Sequence, residues 1–281
     1  MFVKVGGEAM QQSTIYNDLS PRDARALFRS GTFAGHTSGI SAGHIQANIV
    51  ILPSIPALDF HQFCIRNPRS CPLIGLSKSG EVGLNDLGVD IDMRTDLPAY
   101  RVYRHGKLDK ETQDISALWQ KDFITFAIGC SFSFEEGLMV AGLPVRHIET
   151  GNNVPMYRTN IPAESAGIFG GCVVVSMRPF LRVNIDRVVE VTGRFEYAHG
   201  APLHWGDPIE IGIANLSYPD FGDPPHMKED EIPVFWACGV TPQVAIEQAK
   251  PEIAITHAPG SMLITDLASD TPQPNLGAPS L

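Results

Sequence analysis

Two segments of this chain end an apolar run on a cysteine. The first is Phe123-Ile-Thr-Phe-Ala-Ile-Gly-Cys130, followed by Ser-Phe-Ser-Phe-Glu-Glu-Gly-Leu. The second is Val234-Phe-Trp-Ala-Cys238, followed by Gly-Val-Thr-Pro-Gln-Val-Ala-Ile. Each reads as a buried strand that enters a tight turn and then a helix, which sets the thiol at a helix N-terminus. The partial positive charge there favours a thiolate or a bound anion. Cys130 and Cys238 are therefore candidate catalytic groups, or else walls of a carboxylate site whose backbone N–H groups matter more than the sulfurs. Cys172 lies inside an apolar run with no turn beside it and reads as a small buried hydrophobe.

Between Arg146 and Asn160 polar side chains are dense and lysine is absent: His147, Glu149, Asn153, Tyr157, Arg158 and Asn160. That is the makeup of an active-site loop, with Arg158 able to grip a carboxylate bidentately. An ordered structural loop with an internal Arg–Glu pair has the same composition. Ser176 and Arg178 end the apolar run from Gly171, where an α/β sheet presents ligand-binding groups. Thr241 opens the second of the two helices and joins this candidate substrate-binding set. His199, His204 and Asp207 share a loop; His204 and Asp207 are weak candidate metal ligands, because their spacing matches no known site. His257 ends a final apolar run before Ala-Pro-Gly and could serve as an acid or base.

Alternating elements must hold these residues. Ser20-Pro-Arg-Asp23 starts a helix stopped at Gly31, with Ala24, Leu27 and Phe28 inward. A strand at Ala47–Leu52 leads to a helix from about Leu58 to Arg66, with Leu58, Phe63 and Cys64 inward. Residues 72–98 read as loop and short strands. Ala99–Arg104 is a strand turning at His105-Gly106, and Ile115–Trp119 is a short helix. The helix after Cys130 is expected from Phe134 to Gly142, with Ser133 and Glu136 as a capping box. Val145–Glu149 and Gly171–Met177 read as strands, Ile185–Thr192 as an amphipathic helix, and residues 200–206 as a loop. Thr241 caps a helix at Pro242–Ala249, and Glu252–His257 is a strand. The fold class is α/β with α+β features: two lobes, with a mixed sheet flanked by helices and a smaller α/β second lobe. The expected division is a loose tail over 1–17, a catalytic unit over 18–267, and a disordered tail over 268–281. Within the unit, one lobe joins 18–115 with 231–267 and the other spans 116–230.

Composition limits the function. The 281 residues carry a formal net charge of −10, the wrong sign for gripping a phosphate backbone. With 43% apolar residues, the chain can build a real core. No segment reaches the roughly 20 apolar residues of a membrane span, and the N-terminus lacks a secretory h-region. The five cysteines are odd in number and widely spaced, as expected of reduced thiols in a cytoplasm. No Gly-x-Gly-x-x-Gly follows a strand and no P-loop is present, which disfavours a dinucleotide or nucleotide cofactor.

Several motifs resemble those of one family. They are Pro98-Ala-Tyr-Arg-Val-Tyr-Arg, Ile128-Gly-Cys-Ser-Phe-Ser-Phe-Glu135, Pro144-Val-Arg-His-Ile-Glu, Asn153-Val-Pro-Met-Tyr-Arg-Thr-Asn-Ile-Pro162, Val175-Ser-Met-Arg-Pro, His199-Gly-Ala-Pro, Val234-Phe-Trp-Ala-Cys-Gly-Val-Thr-Pro-Gln243 and Thr256-His-Ala-Pro-Gly260. Over roughly Leu19–Leu267 the chain resembles the D-glutamate cyclase family, whose bacterial members carry hydro-lyase names. The resemblance implies a two-lobe α/β enzyme that takes D-glutamate to 5-oxo-D-proline and water. It also leaves room for a divalent metal such as manganese. For that chemistry, Arg158 and Arg178 are expected on carboxylates, with Asn160 as an orienting donor. Asn153, Ser176 and Thr241 complete the binding set, and Glu149 with His257 forms the acid/base pair. The expected partner is a small carboxylate, with no nucleic acid or membrane, in a possible homo-oligomer. Two other readings compete: a cofactor-independent racemase that uses Cys130 and Cys238 as its acid and base, and a non-enzymatic carboxylate-binding protein.

Overall fold

The computed structural model describes residues 16, 18–33 and 35–269. The tails expected over 1–17 and 268–281 fall almost wholly outside these residues. Among the described residues there are eleven strands, numbered here in chain order: β1 His44–Pro53, β2 Leu73–Leu76, β3 Tyr100–Arg104, β4 Lys107–Thr112, β5 Phe123–Gly129, β6 Met156–Pro162, β7 Cys172–Leu181, β8 His204–Trp205, β9 Glu231–Ala237, β10 Ile253–His257 and β11 Leu263–Ala268. The α-helices are α1 Pro21–Arg29, α2 Ser54–Arg66, α3 Phe132–Val140, α4 Arg146–Thr150, α5 Ile185–Gly193 and α6 Thr241–Ala249.

The α/β class expected from the sequence is what the structure shows. Strands form a seven-stranded sheet in the order β2-β5-β1-β10-β3-β4, with β11 also paired to β1, and a four-stranded sheet in the order β6-β7-β9-β8. Every ladder is antiparallel. The larger sheet draws on both ends of the chain together with β5, and the smaller on its middle together with β9.

Period-two alternation sorts the strand residues between two apolar layers. Ile49 and Ile51 of β1 join Phe134 and Leu138 of α3, Val188 of α5 and Trp236 of β9. Their neighbours Val50 and Leu52 join Phe60 and Phe63 of α2, Val175 and Met177 of β7 and Ala245 of α6. Both faces of β1 are thus covered, which explains the continuous apolar run Ile49–Leu52. Among the described residues no helix is long and apolar enough to cross a membrane.

Several local expectations hold in detail. Ser20 caps α1, its hydroxyl accepting the Asp23 N–H. The β3–β4 hairpin turns at His105 and Gly106, both at positive φ, as its tight turn requires. Other details differ. Leu58 faces outward at 49% exposure, while Ala57, Phe60, Phe63 and Cys64 face in; the buried stripe of α2 is rotated from the expected one. Arg146–Thr150 is a helical turn rather than a strand, closed by Gly151 at φ +68°. Its apolar-polar alternation is too short to separate the two periods. Residues 156–160, the end of the expected loop, belong to β6. Helix α3 begins at Phe132, so Ser133 lies inside it and makes no capping box. The Ser133 hydroxyl accepts the Gln46 N–H at 3.1 Å instead. Thr241 likewise caps nothing: its Oγ1 accepts the Val174 N–H at 3.0 Å and ties α6 to β7.

Candidate active site

The two strand–cysteine–helix corners belong to different sheets, β5 to the larger and β9 to the smaller, yet they line one pocket. Its walls are Cys130-Ser131-Phe132 from the first corner and Cys238-Gly239-Val240 from the second, with Asn48, Asn153, His199 and Gly260 among the rest. Both thiols are buried. Burial pushes Cys130 up to about 12 and Cys238 up to about 11; the Phe132 and Val240 N–H groups, bonded to the respective sulfurs, pull back against it. At neutral pH both groups are therefore thiols, placed where two helix N-termini converge.

Close approach explains the glycines here. A Cβ on Gly129 would stand 1.6 Å from the Tyr197 carbonyl oxygen, and one on Gly239 would stand 2.0 Å from Asn48 Nδ2. The Asn48 amide in turn donates to the Gly129 carbonyl at 2.8 Å. The pocket is tight, with about 10 Å³ of space, room for one water. On the other side of a thin wall lies an open cleft of about 500 Å³ lined by His36, Arg101, Glu111, Asp220 and Ser261, the size of a small-molecule site. The wall is Asn153 and the turn at residues 258–262. Asn153 lines both spaces. Its N–H donates to Asp223 Oδ2 at 2.7 Å and its Nδ2 to the Pro259 carbonyl at 3.4 Å, while its buried Oδ1 has no hydrogen-bond partner among the described residues.

Behind the pocket runs a dry ionic network. Arg178, fully buried, donates through Nε at 3.1 Å to Glu135 Oε1 and also through Nη2 to the same oxygen. It donates further to Ser176 Oγ at 3.1 Å and to the pocket residue Ser131 at 3.0 Å, and its guanidinium lies over the Phe134 and Trp236 rings. His147 Nε2 sits 3.1 Å from Glu135 Oε1, off the line of a well-aligned hydrogen bond. Burial alone would raise the Glu135 carboxyl; His147 and Arg178 outweigh it and hold the group at about 2.

The structure brings together some of the residues picked out by sequence and disperses others. Cys130, Cys238 and Asn153 share the pocket. Arg178 and Ser176 lie just behind it, engaged in the buried network rather than poised as a clamp. Arg158 does not line the pocket: its guanidinium pairs with Glu247 at 2.8 Å and Asp220 at 3.7 Å, and the side chain is 37% exposed. Asn160 is exposed on the same strand. Glu149 is exposed and bonded to Arg146. His257 is wholly buried in the larger sheet, its Nδ1 against the Ile49 backbone, and burial lowers its pKa to about 4. Glu149 and His257 do not meet. His204 Nε2 is occupied by the Asp207 carbonyl at 2.8 Å, and Asp207 Oδ1 by the Ile209 N–H. No group of three His, Cys, Asp or Glu among the described residues is placed to hold a metal. Asn48 and Glu135 are absent from the sequence-based candidates, and His199 enters them only through the loop it shares with His204 and Asp207, as an acid/base histidine or a plain loop residue. The one available signal for Glu135 was its place inside a family motif.

Fold and site together define an α/β protein with a tight, mostly apolar-walled pocket where corners from its two sheets meet. The D-glutamate cyclase family profile matches residues 124–266. A "Putative hydro-lyase" of Gluconacetobacter diazotrophicus is 53% identical over 90% of both chains. One of Bordetella pertussis is 55% identical over 87% of this chain and 88% of its own. Among solved structures, a nitrogen repressor-like protein from Methanococcus jannaschii matches with a TM-score of 0.37 at 10% identity, over 84% of this chain and 91% of that one; so low a score carries no argument. The chain belongs to the D-glutamate cyclase family, and its relatives' names place it among the lyases.

Proposed function

We propose that the protein is a hydro-lyase acting on a small amino or carboxylic acid, with the reaction D-glutamate to 5-oxo-D-proline and water as its pattern. The observation that carries this reading is the convergence of two helix N-termini and the Asn48, Ser131 and Asn153 side chains on one pocket. In that reaction the amine attacks the side-chain carboxyl, a C–N bond forms and a C–O bond breaks. Two protons lost from the ammonium nitrogen leave with the carboxylate oxygen as water. The tetrahedral oxyanion needs donors already in position; the second Asn153 amide proton is one, and the N–H groups whose bonds the two sulfurs now accept can turn to an entering oxyanion. The pocket must widen to admit the substrate from the cleft, and the shared wall at Asn153 is the short way in. The test is to incubate the protein with D-glutamate and with L-glutamate, with and without manganese, and follow 5-oxoproline. Turnover of D-glutamate is expected; inertness in both directions of the reaction would sink the reading.

A second reading rests on the two thiols sharing one pocket. In a cofactor-independent isomerase, one sulfur removes the α-proton of a carboxylic acid and the other returns a proton to the opposite face. Single Cys130→Ser and Cys238→Ser variants separate the two. Thiol chemistry predicts that both lose turnover; the hydro-lyase reading, in which the backbone N–H groups act, predicts that both keep most of it.

A further inference from the structure

His199 lines the cysteine pocket and is 1% exposed. Its Nδ1 lies 2.8 Å from the Arg69 carbonyl oxygen. A carbonyl can only accept, so in the neutral ring the proton sits on Nδ1 and Nε2 keeps its lone pair. No other described residue makes a hydrogen bond to Nε2. The loop is fastened from outside as well: the Arg69 guanidinium donates to the carbonyls of Ala201 and Pro202. The backbone at His199 has φ +79°, a left-handed conformation that residues with a Cβ rarely adopt. Here a histidine occupies a position that glycine or asparagine would fill more easily.

We infer that His199 is the general base of this pocket, its Nε2 taking a proton from the ammonium group of the bound amino acid. This rests on the hydro-lyase reading above. The N–H bond breaks, an Nε2–H bond forms, and the imidazolium then passes the proton to the departing carboxylate oxygen. The second proton follows the same route as the intermediate collapses, so the ring ends neutral. Burial first, then the Arg178 and Arg69 charges, outweigh the Arg69 carbonyl bond and bring the ring's pKa down to about 4. Among the described residues the other titratable groups on the pocket wall are the two thiols, so the ring is a neutral base. A carboxylate ligand entering the pocket favours the imidazolium and strengthens that base.

The decisive variant is His199→Gly, which relieves the backbone and leaves an imidazole-sized space. With D-glutamate as substrate, kcat is expected to fall about 100-fold or more with thermal stability retained. Added imidazole should restore turnover. Pyrazole, of the same shape but far less basic, should not. His199→Asn, which can still donate to the Arg69 carbonyl, should be as slow as the glycine variant. Equal rescue by pyrazole, or full activity in the asparagine variant, would reduce His199 to a structural part and overturn the inference. A readout free of turnover is the imidazole 15N spectrum of the intact protein: an Nδ1–H tautomer is expected, and an Nε2–H tautomer refutes it. If the wild type is inert toward both glutamates, the hydro-lyase reading fails, while this spectrum still decides the ring.

Discussion

Arg178 and Arg158 sit on neighbouring strands of the smaller sheet and hold their charges in opposite ways. Arg178 is dry, spending its donors on Glu135, Ser131 and Ser176 and its flat faces on two aromatic rings. Arg158 is wet, with Glu247 and Asp220 as partly exposed partners. Water screens the second pair and leaves it worth little. The first has no water to fall back on, so each partner depends on the others. The same residue type is thus a fixed part of the site's electrostatics in one place and a surface ornament in the other.

The sharpest way to break this contrast is to remove Glu135. Glu135→Ala leaves the Arg178 charge buried without its partner and should cost about 3–5 kcal/mol, read from denaturant unfolding. Glu135→Gln, which can still accept from Arg178, should cost less. A loss as small as that of a surface pair would mean that the network is not as dry as its burial indicates.

Acid should expose the same contrast. His199 and His257 have folded pKa values of about 4 against an ordinary 6.5. Below pH 6.5 the unfolded chain takes up protons that the folded rings refuse, so stability falls as pH drops from 6.5 toward 4. Each ring contributes a slope of up to roughly 1.4 kcal/mol per pH unit. Glu135 adds a second window: its carboxyl, at about 2 against 4.5, contributes stability above 4.5 that is lost as pH falls from 4.5 to 2. Urea midpoints across this range check both windows, and His199→Asn should remove one ring's share of the first. Gly239→Ala tests the pocket wall: the added methyl must displace Asn48, for about 1–3 kcal/mol of overpacking and a loss of turnover. Least of all should follow from Arg158→Ala and Glu149→Ala, about 0–1 kcal/mol each with turnover unchanged. An Arg158→Ala protein that is stable but inactive would return Arg158 to the carboxylate role its sequence context suggested.

Much of the fold was legible because its signals are local. Ser20-Pro21 opens α1, His105-Gly106 turns the β3–β4 hairpin, and the runs ending at Cys130 and Cys238 are strands. The misreadings share a cause. Val145–Glu149 and Leu58 were placed by periodicity over a few residues, and that periodicity depends on which neighbour covers which face. The continuous apolar run Ile49–Leu52 of β1 indicates that both faces are covered and leaves its pairing direction open; the ladders on either side of it are antiparallel.

The two cysteine corners divide in the same way. By itself the chain determined that each thiol follows a buried strand and precedes a helix, because hydrophobic run, turn and helix start are written in adjacent residues. Family membership was also there to be read, in motifs longer than chance supplies. That the two corners, one from each sheet, meet at a single pocket was decided only by tertiary packing. So was the turning of Arg178 inward and Arg158 outward, and the pinning of His199 by a carbonyl 130 residues away. Burial and long-range hydrogen bonds set the charge state of a side chain, and both are made by residues distant in sequence.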